Sequence, residues 1–486
     1  MTGISISARI VFMKITARTK RKTPGFIGRD REMAYLEGEM HTKGAKFIVL
    51  YGRRRVGKTT LIEEFIKGKK SVYFMADNQL ERDLQKRLQQ TMARSIKDSM
   101  MERIDFTSWD DIFEYWLTRE DFSKKVVLVL DEFQYLAKIN PAFPSILQRL
   151  WDKKLKDKNL FLILCGSLIN MMYTTTLSYN SPLYGRRTGQ MKLNPITFDD
   201  YANFLPEINP VKRLEFYAVT GGVPKYIETL SPDKTLWDNI SANILSKNSY
   251  LYNEPRFILN EEITETLNYF SILKTIAEGE HKIGNIASKI GIKANILTKY
   301  MDVLINLEIV ERQVPVTEEN PEKSKMGLYF IRDNFFRFWF KYVFPDQSYL
   351  EIEDTDYVLN RIKKDFASFA GLVYERACLE RIPVLSKAGA LPFKPEKWGK
   401  WWTRNEEIDV VALNTGTKEI IFGECKWSEK PVGLNILKAL ENKAGKVKWN
   451  LGNRREYYAL FAKNGFTEEL RKTAEKGKVF LFEVEK

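Results

Sequence analysis

The chain has 486 residues, 44% of them hydrophobic and 13% aromatic, which is enough for several domains with sizeable cores and excludes overall disorder. Lys and Arg together number 77 against 63 Asp and Glu, an excess that suits an anionic partner such as nucleic acid but is also common as background charge. With three cysteines and two histidines, the sequence excludes a disulfide framework and a histidine-based metal site. No apolar run approaches the ~20 residues that span a bilayer, so we expect a cytoplasmic protein with no membrane partner.

Residues 1–24 form a basic N-terminal segment without acidic side chains. Its composition resembles a transit segment, and the alternatives are a disordered basic arm or a misplaced start upstream of a true initiator at Met13. We expect an arm or a misplaced start and assign the segment no fold.

Residues 25–195 alternate short apolar strands with helical stretches. The runs KFIVLYG, SVYFMAD, VVLVLDEF and FLILCGS are rich in β-forming residues, as is typical of parallel strands buried on both faces. Helical stretches such as KTTLIEEFIKG and SILQRLWDKKL lie between them. This alternation predicts a doubly wound, parallel α/β sheet.

The stretch GRRRVGKTT follows the first of these strands and opens a helix, which is the context that identifies a phosphate-binding loop. Backbone N–H groups and the helix N-terminus hold phosphates in such a loop. Lys58 would reach the β- and γ-phosphates of ATP, and the Thr59 hydroxyl would ligate Mg²⁺. The candidate nucleotide-binding residues of the loop are Gly52, Arg53, Arg54, Arg55, Val56, Gly57, Lys58, Thr59 and Thr60.

Polar residues also follow two later strands. Asp131 would hold the magnesium shell and Glu132 would polarise the attacking water, with a helix cap at the strand end as the alternative. Ser167 would contact the γ-phosphate or water, or serve only as an N-cap. Arg186 and Arg187 would stabilise transition-state charge, in the same subunit or across an interface, unless they form a surface basic turn.

Two further domains are predicted after the sheet. Residues 196–255 are mostly helical in pattern and would pack as a small lid. Residues 256–350 contain the helical stretches EITETLNYFSILKTIAEGE, IGNIASKIGI and ANILTKYMDVLINLEIV, followed by the strands VERQVPV and GLYFIRD. This order is typical of a winged helix.

The stretches FIGRDREM, LYGRRRVGKTTL, VLVLDEFQYL, LILCGS, SPLYGRRTGQMKLNPITF and TGGVPKYI closely resemble, in order, the archaeal ATPase family of the STAND branch of AAA+ enzymes, over about residues 25–345. The resemblance implies that Phe26, Ile27 and Arg29 line the adenine side of the nucleotide and that Pro224 touches the base from the lid. It also implies that the nucleotide state moves the lid and winged helix and changes assembly, so a homo-oligomer is expected, with a ring as one form.

The stretch EIDVVALNTGTKEIIFGECKW predicts a hairpin with residues 414–417 as its loop. Pairing Leu413 with Lys418 makes Asp409 and Glu424 diagonal neighbours on one face of the hairpin. At that separation both carboxylates would bind one divalent ion, Mg²⁺ or Mn²⁺. The hairpin therefore predicts a metal site.

Lys426 shares the face of these carboxylates, where it would orient a water or stabilise phosphorane charge, whereas Cys425 faces the other way. With Glu375 in the upstream helix, the pattern resembles the PD-(D/E)xK restriction-endonuclease-like fold and the C-terminal domain that commonly accompanies this ATPase family, with Ile408 in place of the motif's proline. The resemblance implies that residues 351–486 form a nuclease-like domain. The alternative is a domain kept only for DNA binding or assembly.

The stretch KPEKWGKWWTR interleaves three tryptophans with basic residues, which would stack on and neutralise a nucleic-acid strand, although core packing is expected to claim at least one of them. Together these patterns predict a multidomain α/β protein with an AAA+-like P-loop sheet, a helical lid, a winged helix and a restriction-endonuclease-like domain. Its predicted function is Mg²⁺-dependent ATP hydrolysis that remodels or processes DNA. The alternative is an ATP-dependent signalling or assembly switch whose nuclease-like domain only binds DNA or protein.

Overall fold

The computed structural model describes residues 10–13, 26–263 and 265–484. They form two compact units: the first contains residues 26–196 and Val223–Lys225, and the second contains residues 10–13, Thr197–Gly222 and the residues from Tyr226 onward. Among the described residues, no helix has both the length and the apolar character required to cross a bilayer.

The described strands and helices are numbered in chain order. The strands are β1 (Ile10–Met13), β2 (Lys46–Tyr51), β3 (Ser71–Met75), β4 (Val126–Asp131), β5 (Leu160–Gly166), β6 (Gly189–Lys192), β7 (Val310–Gln313), β8 (Leu328–Ile331), β9 (Lys397–Trp402), β10 (Glu407–Asn414), β11 (Glu419–Lys426), β12 (Arg455–Ala462) and β13 (Val479–Val484). The helices are α1 (Asp30–His41), α2 (Lys58–Ile66), α3 (Glu81–Ile96), α4 (Ser99–Arg103), α5 (Trp109–Arg119), α6 (Phe133–Ile139), α7 (Phe143–Leu150), α8 (Ile169–Met172), α9 (Phe198–Tyr201), α10 (Pro210–Thr220), α11 (Pro224–Ile227), α12 (Leu236–Ile240), α13 (Glu254–Glu262), α14 (Leu267–Ala277), α15 (Ile283–Ile290), α16 (Ala294–Asn306), α17 (Asn334–Phe338), α18 (Gln347–Glu351), α19 (Thr355–Lys387), α20 (Leu434–Ala444) and α21 (Glu468–Ala474).

The first unit is built on a parallel sheet with the strand order β3–β4–β5–β2–β6. Every residue of β4 and β5 is buried because helices cover both faces. Leu128 packs with Trp116 on one face, and Val127 packs with Ile62 on the other. The predicted doubly wound sheet is confirmed. Since parallel strands end at one edge, the phosphate loop after β2 and the polar residues after β4 and β5 meet there.

The second unit begins with helices that pack on the long helix α19. Phe198 and Leu214 share a hydrophobic cluster with Tyr374 and Ile382 of α19. The predicted helical content of this segment is confirmed, and its role as a lid stays a prediction.

Helices α14, α15 and α16 precede an antiparallel pair formed by β7 and β8. This order agrees with the sequence pattern, while the winged-helix assignment stays a prediction. The first predicted helix begins later than expected, because Ile263 is extended (φ −136°, ψ 131°) and separates α13 from α14.

The C-terminal part of the second unit contains a mixed sheet with the order β1–β13–β12–β11–β10–β9. Strands β9, β10 and β11 are antiparallel, and β11, β12, β13 and β1 are parallel. Ile421 packs with Ile382 of α19 on one face, and Phe422 packs with Leu437 of α20 on the other. Strand β13 follows α21, because VFLFEV supplies an apolar strand that pairs with β12 and β1.

The N-terminal segment also departs from expectation at one point. Residues 10–13 form β1, which pairs in parallel with β13, so the prediction of a disordered arm is wrong for them. The apolar, β-rich sequence IVFM favours a strand, whereas the basic charge of the whole segment does not indicate one. The other residues of the predicted arm lie outside the described residues.

The register of the β10–β11 hairpin differs from the prediction by two residues. Leu413 pairs with Ile420, and the loop consists of residues 415–418, whose last residue has a φ of 55° and so cannot belong to a strand. A shift of two preserves which side chains share a face. The observed pairing of the two strands ends at Val410 and Gly423, and β10 is irregular between Ile408 and Val411, so the register does not extend to Asp409 and Glu424.

Candidate functional site

Two glycines shape the phosphate loop between β2 and α2. Gly52 has a φ of 156°, and a Cβ atom on it would lie 2.3 Å from the carbonyl oxygen of Leu193. Gly57 precedes α2 with a φ of 91°. Both conformations favour glycine, so the spacing of the motif is explained by the backbone.

Lys58 lies buried at the start of α2, with 6% of its surface exposed. Its ammonium donates hydrogen bonds of 2.9 Å to the carbonyl oxygens of Gly52 and Arg53. Burial lowers the pKa of Lys58 from its ordinary value. The cation therefore lies against the loop backbone that would surround a phosphate chain.

A cluster of oxygen atoms centred on Asp131 lies beside the loop. The hydroxyls of Thr59 and Tyr73 both donate to Asp131 Oδ2, at 3.1 and 2.7 Å, and the Glu132 N–H donates to Oδ1 at 2.8 Å. Burial, and then the charge of Asp131, raises the pKa of Tyr73. A hydroxyl and a carboxylate side by side are hard oxygen ligands, so these residues fit Mg²⁺. Tyr73 was missed because its approach to Asp131 depends on the pairing of β3 with β4.

Glu132 follows β4 in a left-handed conformation, with a φ of 51°. The Ser167 hydroxyl donates to Glu132 Oε2 at 2.7 Å, and the Gln134 amide donates to the same oxygen and, at 3.3 Å, to the Ser167 hydroxyl. Neither Glu132 nor Ser167 caps a helix with its side chain. The structure therefore brings Ser167 and Glu132 together and does not support the two capping alternatives.

The buried guanidinium of Arg29 braces the loop. Its Nη2 atom donates to the carbonyl oxygens of Val56 and Asn194, each at 2.8 Å, and Nη1 pairs with Glu32 at 3.2 Å. This links the phosphate loop to the segment after β6. The predicted contact of Arg29 with adenine stays a prediction.

The other residues predicted on the adenine side lie near the same loop. Phe26 is partly buried against the hydrophobic cluster beneath the loop, and Ile27 is half-buried. The Pro224 ring lies 4.0 Å from the position of a Cβ atom built on Gly57. Pro224 is thus next to the phosphate loop, and its contact with the base stays a prediction.

The remaining loop residues are placed less directly. Arg54 donates to the Tyr135 hydroxyl at 3.0 Å, Arg55 has a φ of 67°, and Thr60 is exposed on α2. Val56 is fully buried. Nucleotide contacts by these four residues stay predictions.

The two candidate arginine fingers differ in their surroundings. Arg186 forms an ion pair with Asp152 at 3.1 Å. Arg187 lies over the Tyr184 ring at 5.5 Å, and its buried Nη1 atom has no hydrogen bond within the described structure. Burial raises the pKa of Tyr51, and the charge of Arg187 opposes this, which places Arg187 near the end of β2. The finger role of either arginine stays a prediction.

A second group of polar residues lies in the C-terminal sheet. Glu375, Glu407 and Asp409 each offer a carboxylate oxygen within 4.8 Å of the others. The Lys400 ammonium donates to Glu375 at 2.6 Å and to Glu407 at 2.8 Å. Asp409 Oδ2 accepts from the Cys425 N–H at 2.8 Å. These three carboxylates supply hard oxygen atoms close enough together to share one divalent cation.

The charges of this acidic group strongly affect its members. Burial, and then the charges of Glu375 and Glu424, raises the pKa of Asp409 to about 7. Burial opposes protonation of Lys400, but the charges of Glu375 and Glu407 outweigh it and raise the pKa of this ammonium. Lys400 therefore stays charged and partly neutralises the acidic group.

Glu424 is not part of this group, and the prediction that it shares a metal ion with Asp409 stays a prediction. Its carboxylate is paired with Lys426 at 2.8 Å and with Lys443 of α20 at 3.0 Å, because two ammonium groups lie on its face of the sheet. Cys425 belongs to the hydrophobic cluster beneath α19, on the opposite face from Phe422.

Sequence reasoning missed Glu407, Lys400 and Lys443. Glu407 precedes Asp409 by two residues in β10, so strand alternation was a usable signal. Lys400 and Lys443 are supplied by β9 and α20, and only the folded sheet brings them to the acids.

The tryptophans before the hairpin are mostly internal. Trp401 and Trp402 are each 6% exposed, and Trp402 donates to the Met326 carbonyl at 3.1 Å, whereas Trp398 is 42% exposed. Stacking of three tryptophans on nucleic acid is therefore wrong for Trp401 and Trp402, which end β9 and are both buried, and it stays a prediction for Trp398.

Two regions of this chain match known protein families, and one known protein resembles it over nearly the whole length. Residues 26–230 match an ATPase domain predominantly from Archaea, and residues 339–446 match the family described as Archaea bacterial proteins of unknown function. The uncharacterized protein MJECL04 of Methanocaldococcus jannaschii is 35% identical over 95% of this chain and 99% of its own.

Solved structures show lower similarity. The Walker-type ATPase paby2304 of Pyrococcus abyssi is 19% identical, with 67% of this chain and 99% of that chain covered and a TM-score of 0.48. The ORC2 protein of Aeropyrum pernix is 13% identical, with 70% and 98% covered and a TM-score of 0.43. The match to the ATPase domain and the full-length relative show that the chain belongs to the archaeal ATPase family, as a member that also carries the second matched domain.

Proposed function

We propose that this protein is a Mg²⁺-dependent ATP hydrolase. The observation that carries the proposal is the hydrogen bond of 3.1 Å from the Thr59 hydroxyl to Asp131. Glu132 follows Asp131, and its carboxylate accepts a hydrogen bond from the Ser167 hydroxyl. Lys58 binds the phosphate chain, and Thr59 and Asp131 hold Mg²⁺, which supplies charge neutralisation when bound. Glu132 accepts the proton of the attacking water and Ser167 orients its carboxylate.

Turnover of ATP by three variants tests this proposal. Lys58→Ala removes the phosphate-binding cation, so ATP binding and turnover should both be lost. Glu132→Gln keeps the shape of the side chain but not the base, so it should bind ATP and hydrolyse it at least about 100-fold more slowly. Lys156→Ala, an exposed lysine of the same unit, is the matched control and should be unaffected. Equal turnover by the wild type and Glu132→Gln would remove Glu132 from its assigned role.

A second function is supported by the acidic group of the C-terminal sheet: metal-dependent cleavage of DNA. Glu375, Glu407 and Asp409 supply carboxylate oxygens within 4.8 Å of one another, which suits Mg²⁺ or Mn²⁺. Lys426, whose ammonium lies beside Glu424, would stabilise charge on a phosphate. The protein would then use ATP to position this domain on DNA, as a homo-oligomer whose assembly follows the nucleotide state.

Incubation with single-stranded, duplex and branched DNA, with Mg²⁺ or Mn²⁺ and with or without ATP, tests this second function. Asp409→Ala should abolish cleavage, and Lys426→Ala should slow it with less effect on metal binding. Cys425→Ser is the control, because Cys425 faces the hydrophobic cluster, and it should cleave normally. Full cleavage by Asp409→Ala would contradict the proposal. DNA binding or ATP-driven assembly without any cleavage would favour the switch instead.

A further inference from the structure

A cavity of about 590 Å³ lies in the first unit, between α3, the start of α5 and the connection from α6 to α7. Its volume is in the range of small-molecule sites. Phe106, Trp109 and Ile146 supply apolar wall, and Glu81 and Gln85 supply polar groups from one face of α3. Its lining includes no residue of the phosphate loop and neither of the acids after β4, so the nucleotide site does not account for it.

In the part of the chain that the structure describes, only one of the two carboxylate oxygens of Glu81, which lines this cavity, is hydrogen-bonded. Its Oε1 atom accepts hydrogen bonds from Trp109 Nε1 at 2.6 Å and from Asn140 Nδ2 at 2.5 Å. Two donors on one oxygen fix the orientation of the carboxylate. The other oxygen, Oε2, accepts no hydrogen bond from any residue that the structure describes.

The neighbouring arginines do not neutralise this carboxylate. Arg82 is paired with Asp105 at 3.1 Å, and Arg149 is paired with Asp110 at 2.6 Å. Within the described residues, Glu81 therefore has no ion-pair partner. Its negative charge is available to a ligand in a chain whose overall charge is +14.

Gln85 provides the second, independent observation. It lies one helical turn after Glu81, lines the cavity, and is 8% exposed. Its carboxamide has no hydrogen-bond partner among the described residues. Buried amides are normally hydrogen-bonded, so an amide that lines a cavity in this state indicates a ligand that completes its bonding.

We propose that this cavity binds a small organic cation with a guanidinium head group on a short apolar chain. Glu81 Oε2 and the Gln85 amide oxygen would accept from two N–H groups of the planar head, which a guanidinium presents in a fixed fork. The apolar chain would lie against Phe106 and Ile146. This site is additional to the proposed ATP hydrolysis and does not depend on it.

Calorimetric titration of the full chain with n-butylguanidinium tests the proposal, and n-butylurea, of the same shape but without charge, is the matched ligand. The guanidinium should bind at least about tenfold more tightly than the urea, because a charged hydrogen bond to a carboxylate is lost in the latter. A short arginine-containing peptide distinguishes a free cation from a protein side chain, and binding of either supports the site.

Two variants locate the binding. Glu81→Gln removes the charge but keeps an oxygen for Trp109 and Asn140, and Gln85→Leu removes the amide. Each should weaken binding of n-butylguanidinium at least about tenfold. Glu102→Gln, an exposed glutamate of α4, should leave it unchanged, and circular dichroism checks that each variant is folded. Equal affinity for the guanidinium and the urea, or unaltered affinity in both cavity variants, would overturn the proposal.

Discussion

Asp409→Asn should make the protein more stable at high pH than the wild type. Asparagine has nearly the shape of aspartate and keeps an oxygen that accepts from the Cys425 N–H, but it carries no charge. Asp409 has a pKa of about 7 in the folded chain, against an ordinary value of 3.8, mainly because it is buried. In this window the folded chain binds more protons than the unfolded chain, so wild-type stability falls as the pH rises from about 4 to about 7.

The size of the effect follows from the two pKa values. The difference between about 7 and 3.8 corresponds to about 4 kcal/mol of stability, lost in full above pH 7. Asparagine should therefore raise the free energy of unfolding by about 4 kcal/mol at pH 8 and by about 1 to 2 kcal/mol at pH 5. Thermal unfolding in EDTA at both pH values measures this as a shift in the midpoint of the transition that contains the C-terminal sheet.

Glu441→Gln removes an exposed carboxylate of α20 in the same unit and should change the midpoint little at either pH. An equal shift for Asp409→Asn at pH 5 and pH 8, or no shift at pH 8, would show that the Asp409 carboxylate is hydrated and would refute the reasoning. Added Mn²⁺ should stabilise the wild type at pH 8, because the ionised Asp409 carboxylate would bind the cation. It should have less effect on Asp409→Asn, which lacks this negative charge.

Three further outcomes are expected. Tyr73→Phe removes one of the two hydroxyls that donate to Asp131 Oδ2. The Mg²⁺ concentration for half-maximal ATP turnover should therefore rise several-fold, with little change in kcat. Tyr115→Phe is the control, because the Tyr115 hydroxyl contacts Asp98, and it should change neither quantity. Arg187→Ala should slow turnover more than Arg186→Ala, since Arg186 is already paired with Asp152; the reverse order would assign the finger role to Arg186. DNA affinity should fall steeply as salt rises, and an absence of binding even at low salt would remove nucleic acid as a partner.

The parallel sheet and its nucleotide site were predictable because their signals are local. Each buried strand is a continuous apolar run, and the phosphate loop joins one strand to the next helix within a few residues. Thr59 and Asp131 are 72 residues apart in sequence, yet the rule that parallel strands end at one edge was enough to bring them together.

The C-terminal site was only partly predictable because it depends on pairing between distant elements. The alternation of side chains predicted one face for Asp409 and Glu424, but the pairing of β10 with β9 shifts register between Ile408 and Val411, and such an irregularity breaks the alternation. Asp409 lies with Glu375 of α19, whereas Glu424 is paired with Lys443 of α20. The alternation of side chains does not predict which ammonium groups from other elements pair with these acids. Lys400 reaches the acids from β9, which is paired with β10 through an irregular register between Ile408 and Val411, and Lys443 reaches Glu424 from α20.

The balance of charge in the C-terminal sheet bears on the choice between cleavage and simple binding. A basic surface is sufficient to bind DNA, and such binding does not require a cluster of carboxylates. Here three carboxylates lie within 4.8 Å of one another, Lys400 bonds to two of them, and the third, Asp409, has a pKa raised to about 7. Groups whose charge is costly in the folded state are concentrated at sites that bind cations or transfer protons. A divalent cation held by the three carboxylates would offset the cost of ionising Asp409, and this is the physical basis of the proposed metal site.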